Sequence, residues 1–168
     1  MTITIGTSNF IGLLTDSLQT AETDPDEVAV GVHIATHRSG FGDEPGVVDL
    51  VALTSTDRFV VGHTFDVCSG QMTACVWPVD AAQTVLAICK NLVKVRGKDH
   101  TVDVEVVEQV PDWKAAGDES THPGYLVTLS ETPALFDTDT EFQFHADHPG
   151  RFPLETLSRA LNPAPGDD

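Results

Sequence analysis

The stretch WPVDAAQTVLAICKNL (77–92) decides how the rest of the chain is read. Pro78 stops the strand that leads into it. A proline is tolerated in the first turn of a helix, where its missing N–H would have no intrahelical partner. From Asp80 onward, Ala82, Val85, Leu86, Cys89 and Val93 recur at three- and four-residue spacing. That spacing places them on one face of a helix over 80–93. Lys90, Asn91 and Lys94 fall toward its other side and its end.

Working outward, Met1 to Ile5 alternates, with Ile3 and Ile5 on one side and Thr2 and Thr4 on the other, which predicts a short half-buried strand. Gly6 breaks it, and Thr7 or Ser8 can cap a following helix. Phe10, Leu13, Leu14, Leu18 and Ala21 form that helix's apolar stripe, and ETDPDE (22–27) ends it. Val28 to Thr36 reads as a strand and RSGFGDEPG (38–46) as a turn. Two more strands follow, Val47 to Leu53 and Arg58 to Val67, separated by the polar TSTD (54–57). Cys68 to Gly70 reads as a turn, and Met72 to Trp77 as the strand before the second helix.

Beyond Gly97, Val102, Val104 and Val106 alternate with Asp103 and Glu105. A long polar loop spans 108–124, and Trp113 within it is a modest hint of an interface. Tyr125, Val127 and Leu129 resume the alternation, 132–140 is a connection, and Phe142 and Phe144 belong to the last strand. A short amphipathic segment runs from Leu154 to Leu161 before an acidic end. No internal repeat is visible. These readings give an α+β fold with one domain over 1–155 and a C-terminal tail over 156–168.

Three stretches, taken in order, carry a family resemblance. LVALTSTDRFVV (50–61) resembles a strand–Thr-Asp–strand segment of the bacterial-type DNA sliding clamp, the β subunit of the replicative polymerase. The stretch at 77–92 resembles that family's passage through a proline into its second helix. EFQFHADHPGRFPLET (141–156) resembles the last strand of the first clamp domain and the Phe-Pro after it. The resemblance covers residues 1 to about 155 and rests on the order of the elements, since no single motif is specific.

It implies a DNA clamp domain, an antiparallel sheet with two helices packed on one face. It further implies a single-domain, phage-like processivity factor for DNA replication, acting as a homo-oligomer or with partner chains. Such a ring would encircle duplex DNA without reading sequence and tether a polymerase. Lys90, Lys94, Arg96 and Lys98 are the candidate DNA-binding residues. Two features depart from the family. The first helix has no basic residue and contains Asp16, and three such domains are usual in one chain. The alternative is a small interaction protein of clamp fold that binds a host clamp, a clamp loader or a DNA-binding protein as an acidic decoy.

Charge sharpens both readings. The chain of 168 residues has 26 acidic and 9 basic residues, a net of −17, yet four of the nine basic residues lie between Lys90 and Lys98. An acidic body with one basic patch repels a polyanion everywhere except at one face. Basic residues at a helix end also complement the helix dipole, the structural account of the same residues.

Other chemistry is weaker. His145, Asp147 and His148 could be metal ligands, but a strand end running into His-Pro-Gly more often exposes such side chains. His33 and His37, if on a strand, stand ~13 Å apart. The acids of 137–141 and 22–27 lack the calcium-loop pattern. Asp57 beside Ser55 would suggest a hydrolase only with a histidine close by, and a Thr-Asp turn is the simpler reading. There is no P-loop, GxGxxG or GxSxG. The expectation is therefore binding without catalysis, with no cofactor and no metal. Cys68, Cys75 and Cys89 read as reduced, buried thiols. MTITIGTSNF lacks a basic leader and no apolar run is long enough for a membrane span, so a cytoplasmic protein without a membrane partner is expected.

Overall fold

The computed structural model of the chain describes residues 1–24, 26, 30–40, 46–109, 124–132 and 141–161. The side chains of 151, 160 and 161 are not described. The elements are β1 (Thr2–Gly6), α1 (Thr7–Gln19), β2 (Val32–Gly40), β3 (Val47–Thr56), β4 (Val61–Gly70), β5 (Cys75–Trp77), α2 (Val79–Arg96), β6 (Thr101–Gln109), β7 (Gly124–Glu131), β8 (Glu141–Ala146) and α3 (Leu154–Leu161). All eight strands join one antiparallel sheet in the order β5-β2-β3-β4-β1-β6-β7-β8. Its two ends meet at Val76 and Asp147, whose N–H groups each donate to the other's carbonyl at 2.9 Å, so the sheet is nearly closed.

That order contains a symmetry the sequence does not display. β1-α1-β2-β3-β4 and β5-α2-β6-β7-β8 are the same arrangement twice. β1 pairs with β4 as β5 touches the end of β8, and β1 pairs with β6 as β5 pairs with β2. Each half needs only alternating strands and one striped helix, a requirement that many unrelated residue choices satisfy. The two halves can therefore share topology without sharing sequence.

Alternation sets which side chains are inside. Ile3 and Ile5 stand beside Val104 and Val102, and these beside Leu129 and Glu131, so one face of the sheet is almost wholly apolar. α1 and α2 pack against that face and against each other, burying Phe10, Leu13 and Leu14 from one helix and Ala82, Val85, Cys89 and Leu92 from the other. Trp77 is the keystone. It is fully buried, with Phe10 5.9 Å away edge-on and Phe144 4.9 Å away edge-on. It thus links α1 of the first half to β8 of the second.

Several boundaries differ from the sequence reading. α1 ends at Gln19 rather than running to Ala21, and its cap is Gly6 without a side-chain hydrogen bond, not Thr7 or Ser8. Thr7 is already helical because its hydroxyl is engaged elsewhere. The polar residues Thr54, Ser55 and Thr56 are not a loop but the buried end of β3. Ser55 donates to the Ser17 carbonyl at 2.6 Å and lies 2.7 Å from the Thr20 hydroxyl, so it satisfies a carbonyl in the last turn of α1. Such pairing makes polar burial tolerable.

β4 continues through Cys68 and Ser69 to Gly70, where a turn had been expected. Gly70 has φ +93, and a Cβ there would collide with the Thr2 carbonyl, which ties the close approach of β4 and β1 to a glycine. β2 begins at Val32 and runs to Gly40, and β5 covers only Cys75–Trp77. Thr56-Asp57 does close the β3–β4 connection. Asp57 accepts from the Phe59 and Val60 amides at 3.0 and 2.8 Å, as an Asx turn does. The expected loop at 108–124 with Trp113, and most of the 132–140 connection, lie outside the described residues. α3 straddles residue 155, and Leu157 within it is buried, so part of the expected tail packs on the domain.

Candidate nucleic-acid interface

α2 carries the candidate DNA-binding residues because its apolar stripe turns inward and leaves Gln83, Thr84, Ala87, Lys90, Asn91 and Lys94 outside. The helix is entered from Pro78, whose carbonyl accepts from the Ala82 amide at 3.0 Å. Asp80 sits in its first turn and Lys94 and Arg96 in its last, each the sign that the helix dipole favours. Lys90 lies more than a turn before the end of the helix, where dipole complementarity no longer accounts for it. Gly97, at φ +99, ends the helix with its N–H on the Val93 carbonyl at 2.9 Å. Lys98 is exposed in the turn that follows.

The four basic residues are not equivalent. Arg96 Nε lies 3.2 Å from Glu131 Oε1, and Glu131 is almost completely buried. Lys90, Lys94 and Lys98 have no ion pair among the described residues. Elsewhere Arg38 pairs with Asp49, Arg58 with Glu22 and Arg159 with Glu155. Among the described side chains, every arginine is thus neutralised by a carboxylate, and the unneutralised cations are the three lysines of 90–98. On the neighbouring helix, α1 presents Ser8, Asn9, Gly12, Asp16 and Gln19 to solvent. The helix layer is therefore basic on one side only.

Glu131 is the hub of a network with no cue in the local sequence. Its Oε1 lies 3.0 Å from His100 Nε2, and His100 Nδ1 lies 2.7 Å from the Thr7 hydroxyl. Burial pushes the Glu131 carboxyl up, but the His100 hydrogen bond and the Arg96 charge outweigh it and hold the group below its ordinary range. Hydroxyl, imidazole and carboxylate in a row resemble a nucleophile with its base. Thr7, however, is completely buried at the start of α1, so no substrate can reach its oxygen. The network joins the end of α2 to the start of α1, reinforced by the Thr7 amide on the His100 carbonyl at 2.9 Å. Its effect is to fix the 96–100 turn, and with it Lys98, against the first half of the molecule.

The remaining candidates are dispersed. Ser55 is fully buried against Ser17 and Thr20, away from hydrolytic use, and Asp57 serves the turn. His145 is exposed on β8, while His148 Nδ1 accepts from the Gly150 amide at 3.0 Å and its ring stacks on Tyr125. His33 and His37 are on β2 and look outward from the sheet, on the face opposite the helices. Among the described residues no group of three or more His, Cys, Asp or Glu could hold a metal ion. All three cysteines are free and buried, and burial pushes the Cys75 and Cys89 thiols up to about 12 and Cys68 to about 11. Among the described residues no helix is long and apolar enough to cross a membrane. No family model, curated protein or solved structure matches the chain.

Proposed function

We propose that this chain is a clamp-type DNA-binding module that assembles with copies of itself or with partner chains around duplex DNA and tethers a replicative polymerase. The observation that carries this reading is the placement of Lys90, Lys94 and Lys98, unneutralised among the described residues, on the helix side of a twofold β-α-β-β-β sheet. Two helices side by side on one sheet face are what a clamp domain turns toward DNA. Weak, non-directional contact suits sliding, and a few lysines on an otherwise acidic body provide attraction at one face and repulsion at the rest. The partly open edges of β2 and β8, beyond the single bridge that joins the sheet ends, offer unpaired backbone for assembly.

Light scattering at micromolar concentration, together with duplex binding at low salt, tests the reading. A ring-sized oligomer that associates with duplex, and loses that association in the triple variant Lys90→Glu, Lys94→Glu, Lys98→Glu, is the expected result. A strict monomer without duplex affinity overturns it.

The α1 surface favours a second reading. Its exposed face, uncharged but for Asp16, and the net charge of −17 suit a non-enzymatic partner of a host clamp, clamp loader or DNA-binding protein. Direct binding to such purified proteins, competed by duplex DNA, would mark the decoy.

A further inference from the structure

The outer face of the sheet is not uniformly solvated. Along β2 and β3, His33 stands beside Thr54 and Ala35 beside Ala52, and β4 adds His63 and Phe65 in the same two rows. The paired alanines leave a hollow of about 450 Å³ whose rim is His33, His37, Thr54 and His63. α3 closes its side through Leu154, Leu157 and Ser158. The segment that brings α3 there is anchored by Phe152, whose ring stacks on the His33 imidazole at 5.3 Å and 30°. Phe152 and Leu157 form with Val76 a small apolar cluster separate from the main core, with Val61 packed against it. Eight residues are too few to stay helical without packing, so undocking α3 and melting it are one event.

We propose that the segment 152–161 is an acid-released cover: it stays docked on the outer face while His33 is neutral beneath Phe152, and protonation of that imidazole lets it go. His33 is 3% exposed. Burial, then the nearby imidazoles of His37 and His63, hold its pKa down at about 4 from 6.5. The groups around it decide the direction. β2 contributes His37 and β4 contributes His63, which burial and then His37 also hold below its ordinary value. Thr54 on β3 is uncharged and hydrogen-bonds His63 at 2.9 Å. Asp147 lies beyond Val76 at the sheet closure, and Glu155 on α3 is spent on Arg159 at 2.8 Å. No carboxylate is among the causes acting on His33, so its charged form gains no compensation while the cover is closed.

A base whose pKa is depressed further in the closed state than in the open one favours closure at neutral pH. That preference is complete above about 6.5 and is lost progressively as the pH falls toward 4. Between pH 7.5 and pH 5, His33 alone shifts the equilibrium by up to about 30-fold toward opening.

Amide hydrogen exchange on the full chain reads this directly. After correction for intrinsic rates, protection of the 157–161 amides is expected to fall about 10- to 30-fold from pH 7.5 to 5. Protection in α1 and α2 should change only a few-fold. The His33→Gln variant should keep α3 protection nearly level across that range. In Phe152→Ala, α3 should be unprotected already at pH 7.5, and the His33 midpoint by NMR should rise clearly above 4 toward its ordinary value. Unchanged α3 protection in the natural chain at pH 5, equal loss in α1 and α2, or a His33 midpoint in Phe152→Ala that stays near 4 would each overturn the proposal.

Discussion

The two topologically matched halves of this molecule meet solvent in opposite ways. In the first half the outer sheet face is apolar and imidazole-rich, with Ala35, Ala52, Phe65 and Val67 around His33, His37 and His63, and α3 lies on part of it. Around β6 and β7 of the second half, with Thr4 of the adjoining β1, the same face is a hydroxyl and carboxylate lattice. Thr4 and Thr132 both donate to Asp103 Oδ1, at 2.7 and 3.0 Å, and Thr101 donates to Thr132 at 2.8 Å. The helices reverse the contrast, since α1 of the first half is neutral outside with Asp16, while α2 of the second carries the lysines. Shared topology thus constrains only the inward-facing side chains. The outward-facing ones were left to differentiate, giving one half a charged helix and the other an adhesive sheet face.

The comparison can be broken first at the place where the halves are least separable. Trp77→Ala removes a fully buried indole between Phe10 and Phe144 and should cost about 3–5 kcal/mol in urea unfolding. If the halves form one cooperative unit, the natural chain melts in a single transition by both near- and far-UV circular dichroism. Two separated transitions would show that each half stands alone.

The Glu131 network comes next. Glu131→Ala leaves His100 and Arg96 without their shared buried acceptor, and a loss of about 1–3 kcal/mol at pH 7 is expected. The pH dependence has a definite sign. A carboxyl held below its ordinary value contributes stability that is present above about 4.5 and fades as the pH falls through the folded value. The gap between natural chain and variant should therefore narrow below about pH 4.5, a window lower than the one in which His33 acts.

On the outer faces the effects become small, and unequal. Asp103→Ala strands part-buried threonine hydroxyls and should cost about 1 kcal/mol. Phe65→Ser, at a position half exposed on the matching face, should change stability by no more than about 0.5 kcal/mol while reducing any self-association measured by sedimentation. If Phe65→Ser costs more than Asp103→Ala, the first-half face is structural rather than available.

Much of the interior was legible because period decides it. Ile3, Ile5, Val102, Val104, Val106, Val127 and Leu129 alternate in the chain and are buried in the fold. Phe10, Leu13 and Leu14, and Ala82, Val85 and Cys89, follow helical spacing and are buried as well. Polar burial misled the reading of Thr54 to Thr56, because hydroxyls that look like a loop in sequence find partners from α1 and the β-turn. The candidate lysines were legible as a cluster of charge. That Arg96 is neutralised while Lys90 and Lys94 are not depended on where Glu131 falls, 35 residues away from Arg96.

The sequence by itself determined most of the apolar residues that go inside, that a helix begins just after Pro78, and that one patch of an acidic chain is basic. Those properties are local: period, proline geometry and composition act within a few residues. Tertiary structure alone decided that two dissimilar halves share one topology, that His33 is buried under Phe152, and that Thr7, His100, Glu131 and Arg96 meet. These depend on pairing between segments far apart in the chain, for which no local signal exists, because closure of a sheet is satisfied only by all its strands together.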